Sequence, residues 1–424
     1  MYSCLPSFRN RYGSYLTREQ VAELVAPHPE TLELVYSWLK HHSVPSSSIS
    51  VTRGGSSLTL AGVPISQANK LLSASYKLYN HVETNNTILR TISYSLPSEL
   101  HAHVQTVTPT TCFISPRTQW HSGNVISRDG EPIMKFPNRD ESGGSGQDNS
   151  SGITLAFLSW IYNTWGYKPT ATLWNDLGIV GFAGEYPNPT DLGTFMNEYG
   201  RYGADATFKV VQVSNGGYDP SRPHAEPNLD IQYAEGIAYP TPLTFYSTGA
   251  GPLGRDEPFA QWLKYILDEP AVPPTISISY GNEEKDYPYD HAIYVCFMFA
   301  QLAARGVSVL IATGDYGVGK GDCEAERDPG NVRFATLFPA TCTCSECVRL
   351  LYKRCTSSDT SHSPHLFFAG PYVTSVGGTT GRDPEIAASL SGGGFSSYFH
   401  RPPYQQQAVS GYLRWLGDLY QRLY

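Results

Sequence analysis

Thr275-Ile276-Ser277-Ile278-Ser279-Tyr280-Gly281 opens the stretch that decides the fold class of this chain. An apolar helical segment over about 286–305 follows it. Val307-Ser308-Val309-Leu310-Ile311-Ala312-Thr313-Gly314-Asp315-Tyr316-Gly317-Val318-Gly319 comes next. A β-branched run ending in Ser-Tyr-Gly, an apolar helix and a second apolar run ending in Gly-Asp read as strand, helix, strand. That is a parallel crossover unit of an α/β protein. Its polar and glycine residues fall at the strand ends, where open α/β sheets hold their sites.

Upstream lies Glu226-Pro227-Asn228-Leu229-Asp230-Ile231-Gln232-Tyr233. On a helix, residues four apart share a face, so Glu226 and Asp230 point the same way. Like charges at that spacing repel by a few tenths of a kcal/mol when exposed, and a solvated face more often carries a Lys or Arg there. Two acids held together are one way to keep a carboxyl protonated and poised for proton transfer. The spacing alone is common on ordinary helices, so its meaning comes from the segments around it.

Downstream stand Phe338-Pro339-Ala340, Pro371-Tyr372-Val373-Thr374-Ser375-Val376-Gly377-Gly378-Thr379 and Ser391-Gly392-Gly393-Gly394-Phe395-Ser396. Taken in this order, the segments resemble the sedolisin family of serine-carboxyl peptidases, in its secreted fungal tripeptidyl-peptidase branch. The resemblance implies an α/β fold: a subtilisin-like parallel-sheet catalytic domain preceded by a small α+β, ferredoxin-like propeptide domain. It implies a Ser-Glu-Asp triad, with Glu226 as general base, Asp230 as the acid that orients it and Asp315 as the oxyanion-hole acid. The Ser279-Tyr280-Gly281 strand end resembles the backbone that binds an extended substrate. The physical logic is consistent with this. A serine hydroxyl needs a base within hydrogen-bond reach, and the base needs an orienting partner. Close carboxylates titrate as a pair, and an oxyanion-hole Asp helps only when protonated. All three acids point to work below neutral pH.

The family's nucleophile lies in a Gly-Thr-Ser type segment, and this sequence contains no Gly-Thr-Ser; the nearest string is Gly378-Thr379-Thr380. The expectation is a catalytic domain incomplete at its C-terminal end, without the serine, without the calcium site that complete family members carry there, and inactive as written. The alternative is a catalytically dead relative acting as a peptide-binding or propeptide-type inhibitory protein. A two-carboxylate glycosidase is a third reading, but acids four apart on one helix crowd too closely for that geometry.

Domain organisation is expected as an activation propeptide over 1–111, a processing linker over 112–152 and the peptidase domain over 153–424. In the first unit, Thr17-Arg18-Glu19-Gln20 forms a capping box, a second helix runs to about Lys40, and strands flank Gly54-Gly55. A helix is expected over 65–74 and two further strands over 76–95. The linker is polar, glycine-rich and aperiodic, as in a segment open to cleavage. Sequons stand at Asn85-Asn86-Thr87 and Asn149-Ser150-Ser151.

Among the eight cysteines, Cys296, Cys323 and Cys342 fall where the family keeps structural ones. Cys342, Cys344, Cys347 and Cys355 lack two clean C-x2-C knuckles and so argue against zinc. Residues 343–370 interrupt the family pattern and read as either a retained intron or a surface insertion.

At 424 residues the chain is long enough for two or three units. A net charge of −8 with no run of basic residues argues against nucleic acid. No apolar stretch reaches the roughly 18 residues of a membrane span. Met1-Tyr2-Ser3-Cys4-Leu5-Pro6 lacks the parts of a signal peptide, yet the resemblance implies a secreted protein whose start is clipped. Protein and peptide substrates, its own propeptide and a monomeric state complete the expectation.

Overall fold

The computed structural model describes residues 13–80, 87–114, 117–118, 154–169, 175–200, 205–251, 257–318, 334–342, 372–381 and 384–419. Residues 343–370, most of the expected linker, Cys323 and both sequon asparagines lie outside them.

Six parallel strands form the central sheet. They are β6 (Leu177–Gly181), β7 (Lys209–Val213), β8 (Leu243–Thr248), β9 (Thr275–Ile278), β11 (Ser308–Ala312) and β13 (Thr374–Val376), in the spatial order β13-β11-β9-β6-β8-β7. Every neighbouring pair is parallel. Helices cover both faces of the central strands, so β6 and β8 are almost entirely buried, whereas the edge strand β13 is exposed. Successive residues of β6 show the division. Ile179 packs with Leu192, Met196 and Ile231 on one face, while Val180 packs with Phe259, Trp262 and Phe299 on the other. At Gly181 an added Cβ would stand 2.4 Å from the Phe245 ring, so only glycine lets β6 lie this close to β8.

The first face carries α5 (Pro189–Glu198) and α6 (Ala225–Ala238). Asn188 caps α5 by accepting from the amides of Thr190 and Asp191. A short helix, α4 (Leu155–Ile161), lays the buried Leu155 side chain over Gly236 of α6. The second face carries α7 (Pro258–Asp268) and α8 (Tyr289–Ala304). Glu257 caps α7 through the Ala260 amide at 2.8 Å, with Pro258 at the first helical position. α8 begins after Pro288, three residues later than the sequence pattern suggests, because a 3₁₀ turn takes Glu284–Asp286. Cys296 on α8 is joined to Cys342 by a disulfide.

The N-terminal unit has its own core of Val35, Leu39, Val44, Leu71, Leu72 and Leu100. Its helices are α1 (Arg18–Leu24), α2 (Pro29–His41) and α3 (Ile65–Leu71). The Thr17 hydroxyl and the Gln20 side chain form the reciprocal capping box read from the sequence. Its strands β1 (Ile49–Val51) with β2 (Leu58–Leu60), and β3 (Lys77–Asn80) with β4 (Thr87–Arg90), form two separate antiparallel pairs. Among the described residues these strands stand as two pairs beside the helices, which makes the small α+β unit expected from the sequence. With three or four residues each, they offer short ladders, and the helices supply most of the buried contacts.

This unit rests on α7 and α8. The Leu16 amide donates to the Ala304 carbonyl at 3.0 Å. Arg18 donates to the Asp268 carbonyl at 2.6 Å, and Arg53 meets the Asp268 carboxylate at 3.4 Å. Thr106 and Tyr94 donate to Oδ2 of Asp290, at 2.8 and 3.3 Å. The buried Arg90 side chain donates to the Cys112 carbonyl.

Candidate active site

Three adjacent strands of the sheet, β11, β9 and β6, deliver acidic or hydroxyl residues just past their carboxyl ends: Asp315 after β11, Ser279 after β9 and Glu185 after β6. The start of α6 brings Glu226 and Asp230 to the same place. This is the crevice at the strand ends that open α/β sheets use for chemistry.

Glu226 lies in the first turn of α6 and is only 6% exposed. Burial is the largest influence on its carboxyl and pushes its pKa well above the usual carboxylate range. The charges of Asp230 and Asp315 push the same way, Glu185 adds to them, and Ser279 pulls against them. Asp230, one turn on, is also pushed up by burial and pulled down by Ser279. Its Oδ1 accepts from the Ser279 hydroxyl at 2.8 Å, while its Oδ2 is buried with no hydrogen-bond partner. A pair in this state keeps a proton at pH values where isolated carboxylates have lost theirs.

Asp315 is half-buried, and burial raises its pKa. Its loop is shaped by glycines, Gly314 at φ +99° and Gly317 at φ +66°. The 389–394 segment locks this loop: the Gly317 amide donates to the Leu390 carbonyl at 2.7 Å, and the Gly392 amide donates to the Gly314 carbonyl at 3.1 Å. The glycine run singled out in the sequence thus braces the Asp315 loop.

The expected substrate strand has two sides. Ser279 turns its hydroxyl to Asp230, and Tyr280 is wholly buried, donating its hydroxyl to Glu185 Oε2 at 3.1 Å. Any peptide contact by Ser279-Tyr280-Gly281 therefore falls to the backbone. β10 (Tyr280–Glu283) already carries such a contact. It pairs antiparallel with β5 (Arg117–Thr118), Tyr280 opposite Thr118 and Gly281 opposite Arg117. Its far end pairs antiparallel with β12 (Leu337–Phe338). The chain just beyond the N-terminal unit lies along the Tyr280–Gly281 end of that strand.

Glu185 is the member that sequence reasoning missed. Its pKa is raised by burial and lowered by the Tyr280 hydroxyl. The only sequence signal for it was a carboxylate four residues past a buried apolar strand. His224, the histidine nearest the pair, precedes α6 as its N-cap residue, and its Nδ1 accepts from the Tyr186 amide at 3.3 Å. It is occupied at the helix start rather than aimed at the acids. Among the described residues no group of three or more His, Cys, Asp or Glu could hold a metal ion. No described helix is long and apolar enough to cross a membrane.

Residues 7–113 match the Pro-kumamolisin activation domain. Tripeptidyl-peptidase SED2 of Arthroderma otae is 30% identical over 432 residues, covering 98% of this chain and 66% of its own length. A probable tripeptidyl-peptidase SED3 of Trichophyton verrucosum is 33% identical over 435 residues, covering 99% and 66%. A solved Pseudomonas sedolisin, a serine-carboxyl proteinase complexed with two molecules of pseudo-iodotyrostatin, aligns at a TM-score of 0.41 and 21% identity over 61% of this chain and 67% of that one. The chain thus spans about two thirds of the length of these two fungal relatives, 66% of each. With an activation-domain match at its N-terminal end and tripeptidyl-peptidase relatives along nearly all of its length, the chain belongs to the sedolisin family of serine-carboxyl peptidases.

Proposed function

We propose that this chain carries the acid half of a secreted, acid-acting tripeptidyl-peptidase, a hydrolase that releases tripeptides from the free N-termini of proteins and peptides. Glu226 serves as general base toward a serine nucleophile, Asp230 supports it, and protonated Asp315 stabilises the tetrahedral oxyanion. The observation that carries this reading is the convergence of Glu226, Asp230 and Asp315 in one crevice, close enough that Asp230 and Asp315 both raise the Glu226 pKa. Burial pushes all three toward the protonated form, which suits Asp315 as an oxyanion donor, while Glu226 acts as base only when the coupled pair has given up its proton. The pairing of β10 with residues 117–118 supports a second part of the reading: the Tyr280–Gly281 backbone takes an extended peptide, and the chain's own linker holds that place before activation.

No Gly-Thr-Ser segment stands in the 424 residues, so the serine is not assigned to any of them. The test compares residues 1–424 with the same chain extended by the C-terminal third of Tripeptidyl-peptidase SED2. Tripeptide release in acid is expected from the extended chain alone. Glu226→Gln should lower its turnover by on the order of 10⁴-fold or more. Turnover by the unextended chain, or an extended chain indifferent to Glu226→Gln, would overturn the assignment. An extended chain that binds peptides or inhibits a related peptidase without turnover would favour the inhibitory reading.

A further inference from the structure

We propose that Ser279 is a positioning residue for the acid pair: its hydroxyl fixes the Asp230 carboxyl and sets the pH at which the pair gives up its shared proton. The proposal rests on reading Glu226 and Asp230 as the base and its support. It adds a role for the Ser279 side chain, distinct from any substrate contact of the backbone.

The geometry is specific. Ser279 directly follows β9, whose last residue, Ile278, is buried in the core between β6 and β11. That anchored strand end presents the hydroxyl to Asp230 Oδ1 at 2.8 Å. Asp230 is carried by a different element, α6, so the bond ties the helix to the sheet across 49 residues of sequence. A carboxylate can accept about four hydrogen bonds. Here Oδ2 is buried and unpartnered, so the donor from Ser279 is the one hydrogen bond found for this carboxyl among the described residues. An ionised acid in that position depends on its single donor, because hydrogen bonding to the charged form is what offsets desolvation.

Other titratable groups surround the pair. Asp315 faces it from the β11 loop and Glu185 from the β6 loop, both acidic, and the buried Tyr280 hydroxyl is bonded to Glu185. Among the described residues no cation is among the influences on Glu226 or Asp230, and Ser279 is the group that favours ionisation of both acids, which it does as a dipole.

The test is carboxyl titration, which needs no turnover. Residues 1–424 are prepared with ¹³C-labelled Asp and Glu side chains. The signals of the pair are assigned by their loss in Glu226→Gln and Asp230→Asn. Ser279→Ala should move the pair's titration upward by about one pH unit, the size expected for losing a hydrogen bond to a charged group. Ser279→Cys, close in size but a weak donor, should behave like Ser279→Ala. Ser279→Thr, which keeps the hydroxyl, should restore the wild-type curve. Identical titration in wild type and Ser279→Ala, or a shift in Ser279→Thr equal to that in Ser279→Ala, would overturn the proposal. Because the readout is a proton and not a product, it stands or falls independently of whether the extended chain proves to be a peptidase.

Discussion

Gly392 shows how a single residue can control the site from outside it. A Cβ there would lie 1.8 Å from the backbone carbonyl oxygen of Thr313, at the root of the Asp315 loop. Since that obstacle is main chain, neither partner can step aside by a rotamer change. Gly392→Ala should therefore force the 389–394 segment off the Asp315 loop and destabilise the fold by about 1–3 kcal/mol, as overpacking does. Urea unfolding with the same slope and an unchanged midpoint would refute this. At this scale the sequence was partly readable. The glycine run was visible as a motif, and the i, i+4 acids could be placed on one helix face because helical periodicity is local. Glu185 was not visible, since its partner Tyr280 is 95 residues away and nothing near either residue signals the contact. Ser279 was noticed only for its strand end, because side-chain direction at the end of a strand depends on what packs opposite.

Among the elements, α8 does the most joining. Its apolar residues fill the core against Trp262, Cys296 ties it to Cys342, and its two ends receive the N-terminal unit at Asp290 and Ala304. The helix itself was legible from a nearly unbroken apolar run, and so were the strands on either side of it. Its partners were not, because Thr106 and Tyr94 lie 184 and 196 residues before Asp290. The order of the strands was hidden for the same reason, as chain order says nothing of β13 pairing with β11 across residues 343–370. Asp290→Ala should leave two hydroxyls at the seam without their acceptor, costing roughly 1–3 kcal/mol there. Local opening is then favoured, and amide exchange over residues 87–110 should speed up by about tenfold or more while the central sheet keeps its protection. Equal exchange in the two proteins would mean that the seam is held by its other contacts, Arg18 and Arg53 on Asp268 among them.

The whole molecule carries an excess of acids, 38 against 30 Lys and Arg, and several of those acids are buried. Glu226, Asp230, Glu185 and Asp315 are all pushed up by burial, and Glu235, only 2% exposed, is pushed up to about 7 for the same reason. The sign of the consequence follows from linkage. An unfolded chain releases these protons near the ordinary carboxylate values of about 4, while the folded chain holds them to higher pH. Through that interval the folded state binds more protons, so stability is fully present below about pH 4 and declines as pH rises through the raised values. Asp219 and Glu19 are shifted downward and work in the opposite direction, but Glu19 is exposed and Asp219 lies at the surface, where solvent screening leaves such effects small. The thermal midpoint should therefore fall between about pH 4 and about pH 7, and Glu235→Gln should flatten that fall. The substitution removes a group that must either hold a proton or lie charged and buried at neutral pH. Its gain should be on the order of 1–2 kcal/mol near pH 7 and close to nothing near pH 4. A midpoint that rises toward neutrality, or a Glu235→Gln effect equal at both ends, would mean that the buried carboxyls do not govern the pH response. The expected direction also bears on the site: the burial that protonates Asp315 and the acid pair belongs to the same set of buried acids that makes the fold firmest in acid.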